Sequence, residues 1–510
     1  MLDTLRRYIH GYGYQAFIGF LAGVAGVCGS FAVSGNTQAF VGVSMSSLLI
    51  DGTPGPVVDI ILENLGKYGK PFAFASAIAL SVAIIGGMSF GGIVLGRYAR
   101  RRYVSAVLAF LLTVLVVTAM TGVLTASFAS AVAAGSVVAL FDYRYEDKEP
   151  GREFQPKPDK ERRRALQASA GGIGIVGASY LAGRFRTPDE EREPLGEGGS
   201  SPPEVQTMLD EADEKSLDLT NAPGLVSEIG EFYQIDINTV SPRVDREEWQ
   251  LEFTGQVDNE TTLSYDELTS MEEERENRFI SLRCVGDDLN GRQMDNAVWT
   301  GVPLEPLVEE AGPNADYVVM HGYDDFFNTV PVEVLRDGFL AYGMNGEVLP
   351  RPHGHPVRIL LPGHWGEVNV KWVREVEFVE EDEEGYWERR GWDGTGRVNR
   401  VAKLWSRGTN RDEGTIRVGG HAYAGLAGVE TVEVSTDGGD TWNEATLSER
   451  LDTEDRDVWR QWAYEWDADE GEEYEVVVRM IDENGEVQEE ERSGSSPDGA
   501  TGWVSGTVSL

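Results

Sequence analysis

Five apolar stretches, at 14–34, 71–96, 103–122, 124–141 and 165–183, crowd the first 185 residues. Each approaches the ~20 residues that a helix needs to cross the hydrocarbon core of a bilayer. The fourth and fifth are rich in Gly, Ala and Ser, which weakens their hydropathy but suits close helix packing. The remainder of the 510 residues has the opposite character. Residues 201–510 hold 25 Lys/Arg against 69 Asp/Glu, a balance of −44. Such a charge repels nucleic-acid phosphates and strains a compact fold at low salt. The acids run through all kinds of segment, as in EEDEE at 380–384, DADEGEE at 467–473 and QEEER at 488–492. That spread fits the surface of a salt-adapted, halophilic protein better than a local acidic site.

Basic residues orient the apolar part. Arg6 and Arg7, the cluster Arg97–Arg102, and the run from Arg144 to Arg164 fall on one side if every stretch crosses. By the positive-inside rule that side is cytoplasmic, which makes the chain a multi-pass protein of the cell membrane with its C-terminal two-thirds extracytoplasmic. ERRRALQASAGGIGIVGASYLAG, starting at Glu161, reads either as a twin-arginine export signal for folded cargo or as a plain basic flank of a span. Of six histidines only His10 lies near a span, and there is no CxxCH motif, so no haem is expected on this chain. Electrons that cross the membrane then need a separate carrier.

The expected organisation is a helical transmembrane domain at 1–185 and a Pro/Gly/Glu/Ser-rich linker at 186–225. An α+β domain follows at 226–398, then an all-β, immunoglobulin-like sandwich at 399–510. FISLRC reads as a buried strand delivering Cys284 to a loop, and GVPLEPLVEEAG at 301–312 as a short helix. Beyond residue 400, DGG and ENG turns separate short strands. Cys284 is the one cysteine outside the apolar third, so it has no disulfide partner there. Such a thiol is either a buried apolar side chain or a ligand.

Three ordered blocks bear on that choice: RCV at 283–285 with NAVWTGVPL at 296–304, GMNGEVLPRPHGHPVRILLPGHWGEVNVKWVREVEF at 343–378, and VEVSTDGGDTW at 432–442 with WRQWAYEW after it. Together they resemble the sulfite oxidase family, in its membrane-anchored branch and with its C-terminal dimerisation-type domain. The resemblance implies a molybdenum cofactor with one pyranopterin and a small-molecule substrate. It makes Cys284 the metal ligand, chemically apt because a soft thiolate suits a metal already held by sulfur. It also implies that Arg283, Asn328, His353, Arg358, Gly363, Gly366 and Lys371 line the pterin site, and that the sandwich can pair two chains as a homodimer.

Two departures bear on the substrate. The basic run that follows the cysteine in sulfite oxidases is replaced by VGDDLNG, with Asp287 and Asp288 near the metal and Arg292 the first arginine. Dianionic sulfite is then disfavoured unless Arg292, Arg389 or Arg390 compensates. YWERRGWD at 386–393 puts Trp392 where those enzymes carry a tyrosine. The expected activity is two-electron oxygen-atom transfer on sulfite or on an S- or N-oxide, with Cys284, Arg292 and Trp392 at the reacting centre. The alternative is a non-catalytic cell-surface assembly protein that keeps the fold.

Overall fold

The computed structural model describes residues 2–53, 69–99, 103–144, 174, 176–183, 193–196, 199–451 and 457–510. The twin-arginine-like run and most of the fifth apolar stretch lie outside these residues. The chain forms two compact units, one of residues 1–189 with 237–242, the other of 190–236 with 243–510.

The first unit is helical: α1 (Leu2–Ser34), α2 (Val41–Asp51), α3 (Gly69–Ala99), α4 (Val104–Thr121) and α5 (Leu124–Arg144). Small residues let the backbones approach. A Cβ on Gly86 would sit 2.9 Å from the Gly19 carbonyl, and one on Gly92 would meet Ala109 at 2.7 Å. Three of the expected stretches, at Gln15–Ser34, Pro71–Gly96 and Val104–Thr121, are helices long and apolar enough to span a membrane. The fourth is helical with a shorter apolar run, Leu124–Leu140, and α2 is a short apolar helix that the hydropathy reading did not separate. Residues 237–242 belong to this unit: Val240 joins its apolar core, and Thr239 Oγ1 lies 2.5 Å from Ser46 Oγ.

The second unit contains four sheets. β1 (Gln250–Gly255), β2 (Thr261–Ser264), β5 (Tyr317–Gly322), β6 (Phe327–Pro331) and β10 (Val373–Val379) make one sheet in the order β2-β1-β10-β5-β6, with β1 and β10 parallel. β3 (Glu276–Arg283), β4 (Met294–Pro303), β7 (Phe339–Met344) and β8 (Glu347–Val348) make the second, and β9 (Arg358–Leu360) pairs with β7. β4 is buried along nearly its whole length, as a central strand covered on both faces must be. Trp249, Phe253, Val318, Met320 and Phe378 anchor the main core.

The C-terminal region is β-rich. β11 (Val401–Ala402), β12 (Ser406–Asn410), β13 (Thr415–Tyr423), β16 (Thr446–Leu447) and β17 (Arg460–Asp467) form one antiparallel sheet. β14 (Thr431–Ser435), β15 (Asn443–Glu444), β18 (Glu473–Ile481) and β19 (Val504–Ser509) form the other. Ile416, Val418 and Trp462 of the first share an apolar core with Val432, Val476 and Val504 of the second.

The expected linker needs correction. Pro203–Lys215 is a helix, α6, which buries Val205 and Ala212 in a core shared with Phe279 and Val298. Proline at its start and apolar residues one and two turns apart outweigh a polar composition.

Candidate active site

β3 and β4 pair from Glu276↔Gly301 to Arg283↔Met294, and the Cys284 amide extends the hairpin by donating to the Gln293 carbonyl at 3.0 Å. Cys284 therefore opens the loop 284–293. The far sheets hold this loop. Lys403 Nζ donates to Asp287 Oδ2 at 2.6 Å and to the Asp288 carbonyl at 2.8 Å. Asn290 and Leu404 exchange two hydrogen bonds, at 3.0 and 2.8 Å, and Trp405 Nε1 donates to the Gly291 carbonyl. Burial pulls Lys403 down to about 8 even though Asp287 favours its charge. Arg283 is fully buried and donates to the carbonyls of Asn399 and Ala500, with its guanidinium 4.9 Å from the Trp365 ring.

These contacts revise the roles expected of the acids. Asp287 is buried against Lys403, with Arg283 Nε 4.0 Å away, so its charge is matched, while Asp288 is exposed. Neither carboxylate stands as a free anion facing a substrate. Arg292 donates to the carbonyls of Asn221 and Trp405 and lies 4.6 Å from the Trp405 ring, so its fork is engaged in joining segments. Arg389 lies over Phe327 and Arg390 over Tyr386. Gly363, at φ +74°, leaves room for Leu426.

Cys284 itself is half-buried. A Cβ on Gly286 would lie 3.6 Å from the Trp392 ring and 3.8 Å from Cys284 Sγ, so both side chains come close to Gly286. Burial pushes the Cys284 thiol up to about 12, against a hydrogen bond from the Gly286 amide. Such a thiol is a poor nucleophile unless a cation draws off its proton.

A cationic cluster occupies the second wall. Gly354, at φ +118°, packs against Arg358 and Lys371; its Cβ would meet theirs at 3.0 and 3.3 Å. Arg358 is buried, donates to the carbonyls of His353 and Asn369 at 3.1 and 3.0 Å, and lies 5.2 Å from the Trp299 ring. Its Nε is buried with no acceptor among the described residues, and burial lowers the guanidinium to about 10. His353 is buried edge-on to Phe232, and burial together with Arg358 and Lys371 depresses it to about 3. It is therefore neutral, with Nε2 directed to the Ile229 carbonyl. Lys371 Nζ reaches the Pro352 carbonyl at 3.0 Å and Asp236 at 3.4 Å.

Residues that the sequence reading missed complete the site. Tyr233 stacks on Phe232, and its hydroxyl is the atom that a Cβ on Gly366 would strike. Burial and the neighbouring Cys284 raise its phenol well above the ordinary range. Its amide donates to Asp295, whose carboxyl burial raises to about 7. Glu367 lies beside Gly366 and accepts from Asn328 Nδ2 at 3.4 Å, and Glu388 meets it from the turn before Trp392. The aromatic pair FYQ ahead of the first strand was the one available signal for Tyr233.

The fit to a molybdenum–pyranopterin group rests on chemistry visible here: a half-buried soft sulfur in the cysteine loop, and a buried guanidinium with a donor left over, as an anionic phosphate requires.

Residues 238–387 match the family described as "oxidoreductase molybdopterin binding domain", and residues 398–495 match "Mo-co oxidoreductase dimerisation domain". The "Uncharacterized oxidoreductase YuiH" of Bacillus subtilis is 30% identical over 152 residues, covering 29% of this chain and 74% of that protein. Mitochondrial sulfite oxidase of Rattus norvegicus is 26% identical over 298 residues, covering 48% of this chain and 54% of the enzyme, so this chain spans about half the length of that relative. The sulfane dehydrogenase SoxCD of Paracoccus pantotrophus gives a TM-score of 0.48 at 18% identity, covering 72% of this chain and 94% of that one. With Cys284, its cationic neighbours and the matches to the two family models, to YuiH and to sulfite oxidase, the chain belongs to the sulfite oxidase family of molybdopterin oxidoreductases.

Proposed function

We propose that this protein is a membrane-anchored oxidoreductase whose soluble unit works outside the cytoplasm, transferring an oxygen atom to or from a small substrate in a two-electron reaction. Cys284 would be the metal ligand, and His353, Arg358 and Lys371 would hold the anionic end of a single pyranopterin. The bound group would supply the two-electron redox chemistry and the site of oxygen exchange. The chain's own part is positional. The loop clamp of Lys403, Asn290 and Trp405 holds the segment that carries the sulfur, Trp392 lies near Gly286 of the same loop, and Tyr233 presents a hydroxyl beside Gly366.

The observation that carries this reading is the unmatched Arg358 Nε in a buried cationic wall. The three apolar helices and the basic residues at their ends support an anchor with the soluble unit outside. The C-terminal sheets would be an immunoglobulin-like sandwich that pairs two chains, and electrons would pass to a separate protein. With Asp287 matched by Lys403, the preference for a substrate that is not dianionic no longer rests on the cysteine loop. Membership in an oxidoreductase family leaves the non-catalytic alternative without support.

The test is molybdenum and pterin content of protein purified from a high-salt host, for wild type and Cys284→Ser. About one molybdenum per wild-type chain, lost with turnover in the variant, is the expected result. Wild type without metal or pterin would overturn the reading.

A further inference from the structure

Asn259 is the one asparagine in the chain that is followed two positions later by Ser or Thr, in the run VDNETT at 257–262, and the residue between, Glu260, is not proline. That spacing is the acceptor signal for an N-linked sugar, which belongs on a surface loop of an exported protein. A tripeptide this short also arises by chance, so its place in the fold decides whether it can be used.

The place is an exposed turn between β1 and β2. Asp258, Asn259 and Glu260 are exposed, and Thr261 is half-buried where β2 begins. Backbone bonds hold the turn: the amides of Asp258 and Asn259 donate to the carbonyls of Gly312 and Ala311 at 2.9 and 3.0 Å, and Asn314 Nδ2 donates to Asp258 Oδ1 at 2.9 Å. The Asn259 side chain makes one hydrogen bond, in the open, from Nδ2 to the Glu310 carbonyl at 3.1 Å. That nitrogen carries two N–H groups, and a glycosylated amide keeps one, so this bond survives substitution at the other.

β2 ends its sheet in the order β2-β1-β10-β5-β6 and, among the described residues, pairs with β1 alone. Its outer edge is therefore accessible to an enzyme that must seat the segment. The same edge invites pairing with another chain unless something bulky or charged blunts it. Cys284 belongs to the other sheet of the α+β region, at the β3–β4 hairpin.

We propose that Asn259 is an N-glycosylation site whose sugar guards the open edge of β2. It rests on the reading above, which puts the soluble unit outside the cytoplasm. The donor is a lipid-linked oligosaccharide phosphate, and a membrane glycosyltransferase carries out the transfer. The bond from the donor's anomeric carbon to its phosphate oxygen breaks, and the phosphate leaves with the electron pair. Asn259 Nδ2 bonds to that carbon and gives up one proton to a base of the transferase.

The experiment is mass spectrometry of the full chain purified from the organism that makes it. Trypsin, cutting after Arg246 and Arg275, releases residues 247–275 as one peptide with Asn259 as its single asparagine. That peptide is expected to be heavier by whole sugar residues, mapped to Asn259 by fragmentation. Asn259→Gln, which keeps a side-chain amide, is expected to lose the added mass entirely, and Thr261→Ser, which keeps the hydroxyl, to retain it. Protease added from outside to wall-stripped cells reads the side of the membrane independently. A soluble unit that is cleaved from outside but carries an unmodified peptide overturns the glycan site and leaves the outside placement standing. A soluble unit protected from the protease overturns the placement, and the site with it.

Discussion

Arg358 Nε is a buried donor with no acceptor among the described residues, and the two Glu388 carboxylate oxygens are buried acceptors with no donor among them. A third buried charge, Asp287, lies in the cysteine loop and is fully matched by Lys403. Burying an unmatched polar group costs roughly 1–3 kcal/mol, more if it is charged. The matched group therefore reads as architecture, and the two unmatched ones as places where something of the opposite character belongs. Acid residues near the thiol look alike in the sequence; their partners sort them.

The comparison can be tested by substitution, taking the largest effect first. Cys284→Ser should lower turnover by more than about 100-fold, beyond the loss usual for outer residues of a metal site, with molybdenum lost in elemental analysis. Lys403→Met leaves Asp287 buried with only the more distant Arg283 and the Gln293 amide, and chemical denaturation should show a loss of about 3–5 kcal/mol. Lys403→Met with Asp287→Asn should recover part of it. Full stability in the single variant would mean that the matched pair is not matched.

Arg358→Lys keeps the charge but removes the planar fork, and pterin retention should fall roughly 10–100-fold without a comparable loss of stability. The acid wall has a pH signature. Glu367 is raised from 4.5 to about 10 in the folded protein, so its contribution is complete below the lower value and is lost as pH rises toward the upper one. The melting temperature should fall between about pH 7 and 9 more steeply in wild type than in Glu388→Gln. Lys403 titrates in the same window but is common to both proteins, so it cancels in the difference. The smallest effect belongs to Tyr233→Phe, which keeps the stacking on Phe232. A change of roughly threefold to tenfold in KM with unchanged metal content is expected from one hydroxyl hydrogen bond.

Legibility in the sequence followed distance along the chain. Cys284 was visible because it stood alone, and His353, Arg358 and Lys371 because they share one compact block. The short helix Glu305–Ala311 and its Gly312 cap were visible because proline and glycine carry their geometry locally. The partner of Asp287 lies 116 residues downstream, and nothing near the loop hints at Lys403. Glu367 and Glu388 are joined by two single-turn segments whose mutual placement no periodicity encodes. Helix α6 is hard to see in the sequence because its buried residues, Val205 and Ala212, sit two turns apart in a polar, proline-led stretch.

The grip of residues 403–405 on the cysteine loop also sets an order of events in the life of the chain. A ribosome that has just completed the α+β segment has made the thiol but not its clamp. The clamp residues 403–405 must still emerge and pair with Gly419 and His421 before the loop is held in shape. A product that stops short of residue 403 therefore carries the thiol without the residues that hold its loop.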